Sequence, residues 1–354
     1  MNVRCTPLAK KAASIVALAA IAFVGTSRAA SPEEVDRFAI PSTISPEAAR
    51  GLRTLYGLIK AQPKRKKPLS AEDWDRQNAR ISAIVSPLNM KTLKELDATT
   101  ATETLGGVPV IRIRPKGYKA NGRTLIYLHG GGYTLFSAAT LVGLPASIAS
   151  ASGTEVISVD YTLAPRGNCR TVTDQVIAVW KALLASGATP KATGILGDSA
   201  GGGMAAGVVF KMRDQGLELP GALYLLSPWA DLTRTGDTYT TLGAADPLLD
   251  AESLSWSAEA YADPADLKNP YASPIYGDYT KAFPPTLIQA GTREIFLSHA
   301  VRQYQAIRAG GHEAILDMYE GMPHVHQTLI PNAPESRTAI ARAAAFFEAH
   351  LSTR

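Results

Sequence analysis

The chain has 354 residues, 46% of them hydrophobic and 19% charged, a balance that permits a large buried core and excludes a disordered or low-complexity protein. Its formal net charge is +5, but Arg4, Lys10, Lys11 and Arg28 precede residue 30 without any acidic residue among them. Beyond that segment 32 basic residues face 31 acidic ones, so the basic balance implies no nucleic acid and no anionic surface as partner.

The N-terminus reads as an export signal over residues 1–29. Arg4, Lys10 and Lys11 lead into an apolar run from Ala12 to Val24, and Ser27-Arg28-Ala29 places small residues where a signal peptidase cuts, after Ala29. The run is short for a membrane span, so a periplasmic or secreted product without stable membrane insertion is expected. Cys5 falls inside this signal, which leaves Cys169 as a lone structural or incidental thiol. The basic run Lys64-Arg65-Lys66-Lys67, between Pro63 and Pro68, reads as a solvated loop.

From Ser31 to about Thr99 the chain is polar, broken by proline and compatible with helices, which pack over the domain as residues 30–100. The catalytic domain follows as residues 101–354. Val108 to Arg114 alternates like an antiparallel edge strand, whereas Leu125 to Leu128 and Val156 to Val159 are short apolar runs suited to a parallel sheet buried on both faces. Helical stretches from Ala138 to Ala151, Val172 to Ala185 and Gly202 to Asp214 separate the strands. Further strands are expected at Ala222 to Leu226, Thr286 to Gln289 and Ala314 to Met318, with a closing helix from Glu335 to Ala349. Alternating strand and helix argues an α/β fold with a mostly parallel central sheet flanked by helices. The connection from Trp229 to Pro285 is longer than a crossover needs, and such an excursion usually covers a site.

Ile195-Leu196-Gly197-Asp198-Ser199-Ala200-Gly201 ends an apolar run on a serine fenced by glycines, the G-x-S-x-G pattern that lifts a hydroxyl from the sheet edge at the start of a helix. By itself the pattern also fits a glycine-rich turn with a bystander serine. The partners decide. His129-Gly130-Gly131-Gly132 follows a strand directly, and the N–H groups of Gly131 and Gly132, with that of Ala200, would form an oxyanion hole. Of six histidines, His324 and His326 lie in a loop past a late strand, where such a fold carries its base; Gly321-Met322-Pro323 sets His324 at a turn. The pair could hold a metal, but no third ligand has suitable spacing. The orienting acid comes between serine and base in chain order. Glu294, straight after the Thr286 strand, is favoured by position at the sheet edge over Asp231, Asp246, Asp250 and Asp263 in the excursion.

These motifs, with Asp160-Tyr161-Thr162-Leu163-Ala164-Pro165, Leu226-Ser227-Pro228-Trp229-Ala230-Asp231-Leu232 and Gly321-Met322-Pro323-His324, resemble the hormone-sensitive-lipase-like family of α/β-hydrolases in its bacterial esterase branch. The resemblance spans Leu105 to the C-terminus. It implies an α/β-hydrolase fold with a helical cap built from the N-terminal helices and part of residues 229–285, Ser199 as nucleophile and His324 as base. Two departures stand out. The family's acid is usually aspartate, where this chain offers Glu294, and its usual Arg and Glu in the Asp-Tyr segment are replaced here by Thr162 and Arg166.

The expected activity is therefore hydrolysis of short- to medium-chain acyl esters through an acyl-enzyme, with a small-molecule ester as partner and no metal or organic cofactor. Tyr133, Phe136, Trp229, Leu248 and Leu249 are candidate pocket walls and equally candidates for ordinary packing. An amidase or lactonase would use the same triad, and a ligand-binding protein could share the scaffold. A homodimer is compatible with all of these readings.

Overall fold

Period-two alternation in the strands divides the core of this protein into two layers, one on each face of a single sheet. The computed structural model describes residues 35–353, so the export signal expected over residues 1–29, with Cys5, lies outside the described residues. Helices α1 (Pro46–Lys60) and α2 (Ala71–Glu95) come first, capped by Ser45 and Ser70, whose hydroxyls accept first-turn N–H groups. There follow β1 (Thr99–Leu105), β2 (Val108–Arg114), β3 (Thr124–Leu128), α3 (Gly143–Ser152), β4 (Glu155–Val159), α4 (Cys169–Ala185), β5 (Thr193–Asp198), α5 (Ala200–Asp214) and β6 (Ala222–Leu226). The long connection carries α6 (Thr238–Thr241) and α7 (Ala251–Tyr261). After it come β7 (Thr286–Arg293), α8 (Leu297–Ala309), β8 (Ala314–Pro323), α9 (His326–Leu329) and α10 (Pro334–His350).

The strands lie in the order β1-β2-β4-β3-β5-β6-β7-β8. β2 runs antiparallel to both neighbours, and every pairing from β4 through β8 is parallel. Ile126 and Leu128 of β3 face the layer that holds Val172 and Trp180 of α4 and Met204 of α5. Leu125 and Tyr127 face the opposite layer, against Leu144 of α3 and Phe347 of α10. Both faces are thus covered, as a parallel sheet requires.

Three elements differ from expectation. β2 is an interior strand; the edge is β1, Thr-Thr-Ala-Thr-Glu-Thr-Leu, which pairs with it over seven residues. Most of β1 is exposed, so it has no apolar alternation to betray it. The helix expected from Ala138 begins at Gly143, because Ser137 and Thr140 close a side-chain-bonded turn first. Within the excursion Asp250 caps the unanticipated α7, accepting the Ser253 N–H at 2.9 Å.

The N-terminal helices bind to the domain at defined points. α1 contributes Ala48, Leu52 and Tyr56 to a third apolar cluster with Tyr319, Met322 and Ile330. Ser45 donates both its N–H and its hydroxyl to Glu335 at the start of α10. Arg166, one of the two departures from the family pattern, forms a bidentate pair with Asp75 of α2 at 2.6 and 2.7 Å, while Thr162 bonds Gln175. The basic run is not wholly solvated: Arg65 is half-buried and donates to Gln77, and Lys67 pairs with Glu259 of α7.

Candidate active site

Ser199 occupies the turn between β5 and α5 with φ +54 and ψ −118, a conformation that L-residues adopt only when the surroundings impose it. Its N–H donates to Leu226 O at 2.8 Å, and its carbonyl accepts the N–H of Trp229 at 2.8 Å and of Gly203 at 3.1 Å. The elbow is thereby fastened to the end of β6. Gly201 is required because a Cβ there would lie 1.9 Å from Leu128 O.

The glycine loop after β3 lies beside this turn. Gly131 and Gly132 have φ +110 and +62, and Gly131 O accepts the N–H groups of Thr134 and Leu135 at 3.1 and 3.0 Å. In a trans peptide the N–H of Gly132 points away from that carbonyl, out of the turn. Asp198 holds the loop to the elbow: its Oδ1 accepts the Gly130 N–H at 2.9 Å and the Tyr127 hydroxyl at 2.6 Å. Burial raises the pKa of the Asp198 carboxyl, and those two donors work against the rise. His129 orients the loop from inside. Its Nδ1–H donates to Gly130 O at 2.7 Å, its ring stacks on Tyr161, and burial holds its pKa at about 4, so it is neutral.

At the far side of β6, Glu294 follows β7 and His324 follows β8. Glu294 is fully buried and its Oε2 accepts the His324 Nδ1–H at 2.6 Å. Its Oε1 accepts the Ser227 hydroxyl at 2.7 Å and the Gly291 N–H at 2.8 Å. The Phe296 ring meets the imidazole edge-on at 5.2 Å. His324 also lies within electrostatic range of Asp198, the neighbour of Ser199.

The rival carboxylates are engaged elsewhere. Asp231 binds Arg302 and Thr233; burial would raise its pKa, but the Thr233 and Arg302 hydrogen bonds outweigh burial and hold it low. Asp246 is buried, accepting the N–H groups of Leu248, Leu249 and Ile295, and burial raises its pKa. Asp250 caps α7 and Asp263 is exposed. His326 turns into the core against Tyr319, where burial lowers its pKa to about 3.

The candidate pocket residues separate into two groups. Tyr133 and Trp229 are 1% exposed and belong to an aromatic stack, with Tyr133 and Tyr261 rings 3.6 Å apart. Phe136 is half-buried, its ring 2.7 Å from where a Cβ on Gly131 would sit, and Leu248 and Leu249 are half-buried in the excursion. Two contacts from α2 and α7 reach the glycine loop and the turn after it. Asn78 of α2 accepts the Phe136 N–H at 2.6 Å, and Ser257 of α7 places its Oγ 3.3 Å from the Cβ position of Gly132. Sequence reasoning missed Asn78, Asp198 and Ser227. The last two lie inside motifs already singled out, but nothing in the sequence distinguishes a side chain that braces a site from one that fills space.

Comparison with known proteins bears on the fold and family. The description of the α/β-hydrolase fold matches residues 125–328. An acetyl-hydrolase of Streptomyces hygroscopicus is 36% identical over 243 residues, covering 69% of this chain and 80% of the relative. A solved esterase of the bacterial hormone-sensitive lipase family is 32% identical with TM-score 0.77, covering 87% of this chain and 99% of that one. The chain belongs to the hormone-sensitive-lipase-like family of α/β-hydrolases. An esterase of Acinetobacter venetianus is 31% identical over 250 residues, covering 67% of the hydrolase chain and 82% of its own. Within the hydrolase the matched segment begins in β3, just before the glycine loop, and ends in α9, just beyond His324.

Proposed function

We propose that this hydrolase is a serine carboxylesterase that cleaves short- to medium-chain acyl esters through an acyl-enzyme. The observation that carries the reading is the buried Glu294 carboxylate taking the His324 Nδ1–H at 2.6 Å. A neutral imidazole protonated on Nδ1 has its lone pair on Nε2, the form a general base needs. Ser199 Oγ bonds to the ester carbonyl carbon as its proton passes to His324 Nε2. The carbonyl π electrons move onto oxygen, where the Gly131, Gly132 and Ala200 N–H groups receive the charge; one such donor contributes about 3 kcal/mol in comparable sites. Collapse breaks the bond to the alkoxide, which takes the proton from His324 and leaves as alcohol. Water then attacks the acyl carbon, giving its proton to His324, and Ser199 recovers that proton as the carboxylic acid departs. Glu294 holds the imidazole and stabilises the imidazolium throughout.

A short acyl group is favoured because Phe136 and Ser257 crowd the glycine loop, and because the relative from Streptomyces hygroscopicus carries the name acetyl-hydrolase. With residues 1–29 read as a signal, the enzyme acts in the periplasm or outside the cell. The test is a panel of p-nitrophenyl esters from acetyl to dodecanoyl, with matching amides, using Ser199→Ala as blank. Turnover that falls with chain length and vanishes in the variant is expected. Organophosphate labelling that persists in Ser199→Ala would overturn the nucleophile assignment.

A further inference from the structure

One side chain outside the proposed triad bonds both Glu294 and the backbone next to His324. Ser227 stands directly after β6 and is fully buried at φ +44. Its hydroxyl donates to Glu294 Oε1 at 2.7 Å and accepts the N–H of Val325, the residue after His324, at 3.1 Å. Its own N–H donates to Gln289 O of β7 at 2.7 Å. On either side of it, Leu226 O accepts the Ser199 N–H and Trp229 N–H donates to Ser199 O. The segment 226–229 therefore holds the nucleophile turn by its backbone and the acid and base loops by a single hydroxyl.

Seven non-glycine residues among those described have positive φ, and three of them, Ser199 at +54, Ser227 at +44 and Val325 at +48, are joined by this set of bonds. Such conformations persist only where their surroundings over-determine them, and they gather at functional sites. We propose that Ser227 is the positioning residue that keeps the Glu294–His324 pair in register with the Ser199 elbow. The proposal rests on the serine-esterase reading above and deepens it.

Two physical needs meet in this hydroxyl. A carboxylate with no access to water stays ionised only if donors replace its hydration, and Ser227 supplies one of the three that Glu294 has. Glutamate also has one more rotatable bond than the aspartate usual in the family. Its carboxylate would sample more positions unless something fixes the second oxygen. Because the same hydroxyl anchors Val325, a shift of Glu294 and a shift of His324 are resisted together.

The experiment compares Ser227→Ala, Ser227→Gly and Ser199→Ala in the full-length enzyme. Loss of a hydrogen bond to a charged group predicts that kcat falls by about 10- to 100-fold in both Ser227 variants, with KM within about twofold. The glycine variant relieves the backbone at φ +44 and so separates hydroxyl from turn; it also carries the test if the alanine variant fails to give a cooperative melt. In proton NMR the far-downfield signal of the His324 Nδ1–H, identified by its loss in His324→Ala, should move upfield or broaden in the Ser227 variants. Wild-type kcat in Ser227→Gly, or a lowered kcat with that signal unmoved, would overturn the proposal. Undiminished turnover in Ser199→Ala would instead sink the serine-esterase reading itself, whatever the Ser227 variants do.

Discussion

The Gly130 N–H donates to the Asp198 carboxylate at 2.9 Å, a bond between the ends of two adjacent strands that ties the glycine loop to the turn carrying Ser199. The same oxygen accepts the Tyr127 hydroxyl. Without Asp198 both donors are buried and unpaired, each at a cost of about 1–3 kcal/mol, and the loop is free to drift from the position where an oxyanion would form. Asp198→Ala should therefore lower kcat by about 10- to 100-fold while also lowering the melting temperature. Steady-state kinetics with a calorimetric melt checks both; a variant that melts early yet turns over normally would confine Asp198 to stability.

Glu294→Gln keeps the size of the acid but removes its charge. A neutral amide cannot stabilise an imidazolium, and in comparable triads the loss is about 10⁴-fold in kcat. A drop of about 10³- to 10⁴-fold, with KM changed only a few-fold, is expected. A near-normal rate would transfer the role to Asp246, the one rival carboxylate of the excursion that is both buried and in electrostatic range of His324.

Two glycine substitutions should have opposite effects. A Cβ on Gly201 would lie 1.9 Å from Leu128 O and 2.7 Å from His129 O, both backbone atoms of the strand end that carries the glycine loop. Gly201→Ala should destabilise by more than about 3 kcal/mol or prevent folding. Gly57, inside α1, has open space where its Cβ would be. Gly57→Ala should stabilise by about 0.5–1 kcal/mol, because the unfolded chain loses freedom and the helix gains a better former. Urea denaturation of the two variants measures both effects.

Acid should unfold the protein well before its carboxylates titrate. Burial holds His129 at about 4 and His299 and His326 at about 3, against an ordinary value of 6.5. The unfolded chain protonates all three near 6.5, so it binds more protons than the folded chain from there down to about 4. Stability is fully present above 6.5 and falls with decreasing pH, by up to about 4 kcal/mol per unit when all three histidines count at about 1.4 each. Burial raises Asp198 and Asp246, which take protons first in the folded state and offset part of the loss at the acid end. In His326→Phe, denaturation between pH 4.5 and 6.5 should show a slope about 1.4 kcal/mol per unit smaller. An unchanged slope would mean that His326 is accessible to protons in the folded state.

Sequence alone determined the alternation of strand and helix, because buried parallel strands must be short apolar runs and the helices between them must be long enough to cross. It also determined the turn that carries Ser199 and the glycine loop, since both depend on close backbone approach that only glycine permits, and glycine is visible in a sequence. Edge strand β1 escaped because a strand half in water needs no apolar pattern, and α7 because its capping Asp250 reads the same as any surface carboxylate. Only the tertiary structure decided that Glu294, among five carboxylates in plausible order, meets the imidazole of His324. Only there, too, did Ser227 and Asp198 emerge as the groups that brace the loops. Their work is done across strands, at hydrogen-bond distances between residues separated by dozens of positions, and no local pattern encodes a partner that the sheet brings near only once it has formed.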